Sequence, residues 1–323
     1  FDLYQRLDPR PAADLPVRVV DIDDASLAAL GQWPWPRNEL ARLPDRLKEL
    51  GAAAIAFDMP FSEPDRMSPS NIARSLVAGG ALPRPDTLPD YDALFARALA
   101  DSPSVLGFGA TAEPGRLPGP KAGIVVSGDN PIDAVPQLRG AALPIPVLGD
   151  AAHGLGGLSL NATDEAGTVR RLPLLWSNGK AFVPSLGIEA LRVASGEQNI
   201  VVFGETVGSG FVHGLRVGEF TIPTTSEGNL ILYFRHLAPD LYVSARDVLG
   251  DDYQRLAPRI AGQIVLVGTS ATGLLDLRGT AIGDNMPGVA IHAQALEQIL
   301  SGTYLTRADW VSGLELVAFV ATG

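Results

Sequence analysis

The chain has 323 residues, 36 Asp and Glu against 25 Lys and Arg, a formal net charge of -11, 46% hydrophobic residues and no cysteine. That apolar share over that length supports a substantial core and excludes disorder for most of the chain, while the acid excess without a long Lys or Arg run excludes nucleic acid as a partner. The lack of cysteine excludes disulfides, thiolate zinc sites and a cysteine nucleophile, and four scattered histidines leave little for an imidazole metal cluster.

Phe1, Leu3, Tyr4 and Leu7 are spaced like the end of a helix, which Pro9 and Pro11 stop. Residues 17–22 (VRVVDI) and 53–58 (AAIAFD) are apolar runs ending in acids and read as buried strands. Between them Leu40, Leu43, Leu47 and Leu50 recur at helical spacing with Gly51 as the stop, giving a βαβ unit with neighbouring parallel strands. Pro44 inside that pattern predicts a kink, or a helix that starts there. Residues 67–89, rich in Pro, Gly, Ser and Arg, read as a surface excursion. A helix over 91–100 leads into a third strand at 104–108, and 113–150 is again Pro- and Gly-rich, with a strand expected at 124–126.

From Thr168 short runs alternate with turn residues, and 169–175, 181–184, 218–223 and 229–235 predict antiparallel strands, interrupted by a helix over 184–194. The strand IVLVG at 264–268 and a helix over 287–300, followed by Gly302, return to α/β texture and are expected to complete the first sheet. Residues 311–323 form an apolar run with one charge, Glu315, behind Tyr304 and Trp310, and read as the first turns of a transmembrane helix. The expected fold class is therefore α/β, a central parallel or mixed sheet flanked by helices, with an antiparallel β-rich insertion in the middle of the chain. The expected divisions are 1–15 as a juxtamembrane helix end, 16–305 as the folded domain and 306–323 as the start of a membrane helix.

Ligands of open parallel sheets bind at the carboxyl ends of the strands, and there the sequence places Asp21, Asp23 and Asp24, then Asp58, Glu63 and Asp65, and finally Asp276. If neighbouring strands bring Asp21, Asp23 and Asp58 together, their repulsion calls for a proton or a hard cation such as Mg²⁺ or Ca²⁺. Alternatively, Asp24 caps a helix over 25–30 and the other acids bond loop amides. The run GQWPWPR (31–37) sets Trp33 and Trp35 between prolines, a stiff platform suited to a sugar, a cation or a partner protein, with at least one tryptophan packed in the core. Arg37 is placed to pair with the acid cluster. The turn GTSATG (268–273) lacks a GKT or GKS ending and a GxGxxG, so it makes a poor phosphate cradle. His292, beside Val289 and Leu296, reads as a hydrogen-bonded core or cap residue.

Taken together, VRVVDIDDASLAALGQWPWPR (17–37), GAAAIAFDMPFSEPD (51–65), GTVRRLPLL (167–175), VSARDVL (243–249), IVLVGTSATGLLDLRGT (264–280) and PGVAIHAQALEQILSGTYL (287–305) resemble the type-two CHASE family of extracytoplasmic sensor domains. The resemblance implies a periplasmic or extracellular signal-input domain at the cell inner membrane, tethered through both termini, with no enzymatic activity of its own and a cytoplasmic output module, first choice an adenylate or guanylate cyclase. It also implies a homodimer and an unidentified small-molecule or ionic stimulus. Ala281 and Ala290 depart from the family pattern, and TDEAG at 163–167 lacks a second aspartate that is common there. From the residues alone, two other readings stand beside this one: a metal-assisted hydrolase using Asp21, Asp23 and Asp58, and a ligand-free assembly scaffold. No resident cofactor is expected beyond a Mg²⁺ or Ca²⁺ ion at the strand-end carboxylates.

Overall fold

The computed structural model describes residues 1–77, 87–160, 167–205, 210–274 and 277–305. Asp276, most of the 163–167 turn and the expected membrane helix at 306–323 lie outside the described residues. In chain order the first elements are α1 (Asp2–Leu7), β1 (Val17–Ile22), α2 (Asp24–Leu30), α3 (Arg37–Glu49), β2 (Ala54–Pro60), α4 (Pro69–Val77), α5 (Tyr91–Ala100) and β3 (Ser104–Thr111). The middle of the chain forms β4 (Gly123–Ser127), β5 (Gly140–Ala142), α6 (Pro146–Ala151), β6 (Gly154–Gly157), β7 (Thr168–Val169), β8 (Arg171–Pro173), β9 (Leu175–Ser177), β10 (Phe182–Pro184) and α7 (Leu186–Ala194). Then follow β11 (Asn199–Gly204), β12 (Val212–Val217), β13 (Phe220–Pro223), β14 (Asn229–Ile231), β15 (Tyr242–Ser244), α8 (Ala245–Leu249), α9 (Ala257–Ile260), β16 (Ile264–Thr269), β17 (Leu277–Thr280), β18 (Asn285–Pro287) and α10 (Gly288–Ser301).

The central sheet runs in the order β15-β1-β16-β2-β3, with β6 parallel to β3 and β5 antiparallel to it. It is thus a mixed sheet with a parallel centre. β16 pairs with β1 on one side and β2 on the other, both parallel, so the last strand completes the first sheet as expected. It does so by entering between β1 and β2, which corrects the expectation that those two strands are neighbours. The burial explains the choice: Ile264 to Gly268 are buried without a break, as a strand covered on both faces must be.

Alternation sends Val20, Ile22, Ile55, Phe57, Val265 and Val267 into one core with Leu40, Leu43 and Leu47 of α3 and Phe95 and Leu99 of α5. Val17, Val19, Ala54, Ala56, Ile264 and Leu266 face a second core with Leu186 and Leu191 of α7 and Ile291 and Leu296 of α10. The insertion contains a sheet in the order β13-β12-β11-β4, antiparallel except for β4 on β11, together with the short pairs β10-β9 and β14-β8.

Several local expectations change. The stretch 67–89 contains α4 rather than only irregular chain, and 113–150 contains α6 and β5 besides β4. α3 is already helical from Arg37, so Pro44 does not start it but sits buried inside it. Asp23, not Asp24, is the N-cap of α2. Among the described residues, no helix is long and apolar enough to cross a membrane.

Candidate functional site at the carboxyl end of the sheet

Register fixes the geometry of the strand ends. Asp21 is opposite Gly268, and the pairing of Val267 with Phe57 sets Asp58 beside Gly268 on the other flank. The two aspartates therefore share a sheet face but lie two strands apart, roughly 10 Å at the usual strand spacing. Val289 of α10 fills the space between them: a Cβ on Gly268 would lie 2.5 Å from the Val289 Cβ. The helix wedge keeps the carboxylates apart, and each takes partners of its own.

Asp21 Oδ2 accepts from Ser270 Oγ at 2.5 Å, while its buried Oδ1 has no hydrogen-bond partner. Burial pushes this carboxyl above the usual carboxylate range, the Ser270 bond opposing and the neighbouring Asp23 adding to the effect. Asp23 Oδ1 caps α2, accepting from Ser26 N at 2.7 Å, Ser26 Oγ at 2.6 Å and Ser244 Oγ at 3.0 Å. The Asp24 carboxylate accepts from Thr272 N at 2.9 Å and Thr272 Oγ1 at 3.0 Å, pinning the loop after β16. Among the described residues, no group of three or more His, Asp or Glu is arranged to hold a metal ion. The set Asp21, Asp23 and Asp58 is therefore not assembled, because β16 and Val289 stand between its members.

On the opposite face, Trp35 is 2% exposed and donates from Nε1 to Gly31 O at 2.9 Å, so one tryptophan is core, as expected. Trp33 meets it edge to face, with centroids 5.6 Å apart, and the Trp33–Pro34 peptide is cis. The Arg37 guanidinium stacks 4.3 Å from the Phe61 ring centroid and lies 3.7 Å from Asp92 Oδ1. It thus pairs with α5 rather than with Asp21 or Asp58. Asp65 Oδ2 accepts the Arg37 backbone N–H at 2.8 Å, and Asp92 Oδ2 accepts that of Asp65 at 2.9 Å. Burial lowers the Arg37 pKa and raises that of Asp92, with the Asp65 amide bond and the Arg37 charge opposing the Asp92 shift. Trp33, Arg37 and Glu63 line one cleft of about 470 Å³ together with Arg66 and Met67. The Asp65 carboxylate is engaged by backbone amides, whereas Arg37 Nε is buried without a hydrogen bond and faces Asp92 Oδ1 only as an ion pair at 3.7 Å.

Asp58 belongs to a different, smaller space. A cavity of about 180 Å³ lies between the ends of β2 and β16 and the first turn of α10, lined by Asp58, Leu158, Leu160, Thr269, Val289 and His292. The His292 side chain is 1% exposed, with Nε2 3.2 Å from Leu158 O and 3.8 Å from Asp58 Oδ1. Its Nδ1 is buried without a hydrogen-bond partner. The N-cap of α10 is Pro287, which contributes no side-chain cap, and Gly288 and Val289 of its first turn line the cavity. His292 is a core residue, as the sequence predicts. Its approach to Asp58 is not visible from spacing.

A second buried polar cluster joins α10 to the N-terminal segment. Glu297 of α10 accepts from Arg10 Nη2 at 2.8 Å, from Arg235 Nε at 2.8 Å and from Arg235 Nη2 at 2.5 Å. Gln294 Oε1 accepts from Arg10 Nη2 and the Arg235 amide, both at 3.1 Å, and Gln298 bonds Tyr233 N and Ile231 O, both at 2.9 Å. Gln5 of α1 bonds Leu232 O and Phe234 N from the other side, again at 2.9 Å each. Residues 231–235 are thus held by side chains of α1 and α10. The Glu297 bond raises the Arg235 pKa, whereas burial lowers that of Arg10. The signal was present as Gln294, Glu297 and Gln298, a polar stripe at i, i+3 and i+4 on an otherwise apolar helix.

No curated protein and no solved structure matches this chain significantly. The family model of the CHASE2 domain matches residues 1–323, the whole chain, in agreement with the motifs at 17–37, 264–280 and 287–305. The chain therefore belongs to the CHASE2 family, the extracytoplasmic sensor domains of signalling proteins.

Proposed function

We propose that this non-catalytic segment is the periplasmic input module of a homodimeric bacterial protein of the inner membrane, and that its output is an adenylate or guanylate cyclase. A stimulus bound at the strand ends biases two packed positions of α10, and that bias is passed on toward the membrane-facing ends. Such a switch requires the stimulus to bind the two states with different affinities. The observation that carries this reading is the joining of α10 to the N-terminal segment through Glu297, whose carboxylate accepts from both Arg10 and Arg235. α10 spans about 20 Å at the usual helical rise, with Val289 at the strand-end cavity and Glu297 at the clamp. A displacement at one end is therefore felt at the other. The hydrolase reading loses its support with the separation of Asp21, Asp23 and Asp58.

The test is Glu297→Gln in the full-length protein, assayed as cyclic nucleotide formation in membranes. Removing the shared charge of two buried arginines should shift stimulus-free output several-fold while the protein still inserts and folds. Unchanged basal output and an unchanged response to stimulus would sink the relay.

A further inference from the structure

The cleft of about 470 Å³ beside the Trp-Pro run holds a guanidinium short of acceptors but not of counter-charge. The Arg37 side chain is 12% exposed, and none of the described residues accepts a hydrogen bond from its guanidinium, since the approach to Asp92 Oδ1 at 3.7 Å is too long to be one. Five N–H groups on a mostly buried fork are costly to leave without partners. Its charge, by contrast, is compensated, because Asp92 and Asp65 both act on it. What the group lacks is therefore acceptor oxygens rather than an anion.

The walls suit the same chemistry. Asp65 accepts from the Arg37 and Met67 amides, and Asn71 Nδ2 donates to its carbonyl, so the loop after β2 is fixed against the starts of α3 and α4 before any ligand arrives. Gln32, Glu63 and Arg66 are exposed in the lining, and among the described residues their side chains have no hydrogen bond or ion pair. Trp33 is half-buried, braced edge to face on Trp35, and supplies a flat apolar surface. Charges along the lining balance, Arg37 and Arg66 against Glu63 and Asp65. A carboxylate or phosphate would meet Glu63, Asp65 and Asp92, and a quaternary ammonium on the Trp33 face would meet Arg37 and Arg66. A neutral ligand avoids both penalties. It must offer acceptors to Arg37, donors to Glu63 and an apolar face to Trp33, and a ring of carbons bearing hydroxyls does all three. At about 30 Å³ per water-sized unit the volume corresponds to roughly sixteen non-hydrogen atoms, room for one hexose but not for a disaccharide.

We propose that this cleft binds one neutral pyranose sugar, with a C–H face of the ring on Trp33, hydroxyl oxygens on the Arg37 guanidinium and hydroxyl hydrogens on the Glu63 carboxylate. The inference names a ligand class for the input module and rests on that reading only for its signalling role. The cleft and α10 lie on opposite faces of the sheet, so binding and relay are tested separately.

Isothermal titration of the purified full-length protein with D-glucose, D-galactose, D-mannose and D-xylose, and with sorbitol, sodium acetate and tetramethylammonium chloride, tests it. At least one pyranose should bind in the millimolar range or tighter. Sorbitol should bind at least tenfold more weakly, because its open chain has no rigid face for Trp33, and neither salt should bind. Trp33→Ala should weaken the best sugar at least tenfold, as should Arg37→Lys, which keeps the charge facing Asp92 but loses the planar fork. Glu63→Ala, at an exposed side chain, should weaken it at least threefold and decides the question if the other two variants do not fold. No binding by any of the four sugars, sorbitol or either salt binding as tightly as the best sugar, or sugar binding indifferent to the variants would each overturn the proposal. Because the readout is binding, a relay that fails in the Glu297→Gln assay leaves the sugar site standing, and absence of sugar binding leaves the relay standing.

Discussion

Asp21 is 7% exposed, with one carboxylate oxygen on Ser270 and the other buried without a hydrogen-bond partner. Burial raises its pKa, so the folded state holds this proton at a pH where the unfolded chain has released it. The sign follows from linkage: the stabilising contribution is complete below the ordinary carboxylate pKa of about 4 and is lost as pH rises through the raised value. Asp21→Asn removes the titration. Its urea midpoint should fall less than the parent's as pH rises from about 4, because the loss through this group is gone while that through Asp92 remains; parallel curves for the two proteins would clear Asp21 of the effect. The same residue marks how far the sequence could be read. Asp21, Asp58, Trp33, Arg37 and Glu63 were visible as candidates because acids at strand ends and paired Trp-Pro units are local features. Their partners were not visible, since Arg37 finds Asp92 on α5 and Asp58 finds His292 on α10. Those choices are made by the packing of elements distant in sequence.

At the scale of elements, Gly268 of β16 packs directly against Val289 of α10. Because a Cβ there would come 2.5 Å from Val289 Cβ and 2.7 Å from its Cγ2, Gly268→Ala must push the first turn of α10 off the sheet. A cost of about 1–3 kcal/mol is expected for such overpacking. Val289→Ala in the same chain should recover part of it, so that a double-mutant cycle in denaturant gives a coupling above about 0.5 kcal/mol. Additive losses would show that the helix does not rest on this glycine. Elements with a repeated buried face, such as α3, α5, β1, β16 and α10, were legible from apolar spacing. α4 was not, because Ile72 and Leu76 on it are 41% and 52% exposed and its buried positions are small residues such as Ser70 and Ala73. β15 has three residues at a sheet edge, too few for a period to register. β11 does alternate, with Ile200, Val202 and Gly204 buried, so its period is present in the sequence. The position of β16 between β1 and β2 is a different matter: the three strands have similar apolar patterns, and nothing local encodes their order.

Over the whole molecule, the sheet forms a rigid plate and α10 joins it to the N-terminal segment. Residues 231–235 sit between α1 and α10, and Gln5, Gln294, Glu297 and Gln298 bond this segment from both sides. Gln5→Ala leaves Leu232 O and Phe234 N without that side chain, which should cost about 1–3 kcal/mol for buried polar groups stripped of a partner. The loss should be local. Hydrogen exchange is expected to quicken in residues 1–10 and 231–235 while amides of β1, β2 and β16 keep their protection, as when one cooperative unit opens and the rest stays closed. Uniform quickening through the sheet would instead make the N-terminal segment part of the core plate. The distinction bears on signalling, because a segment that opens alone can be biased by a small change in α10, whereas one that opens only with the sheet would have to overcome the stability of the entire domain before any signal passed.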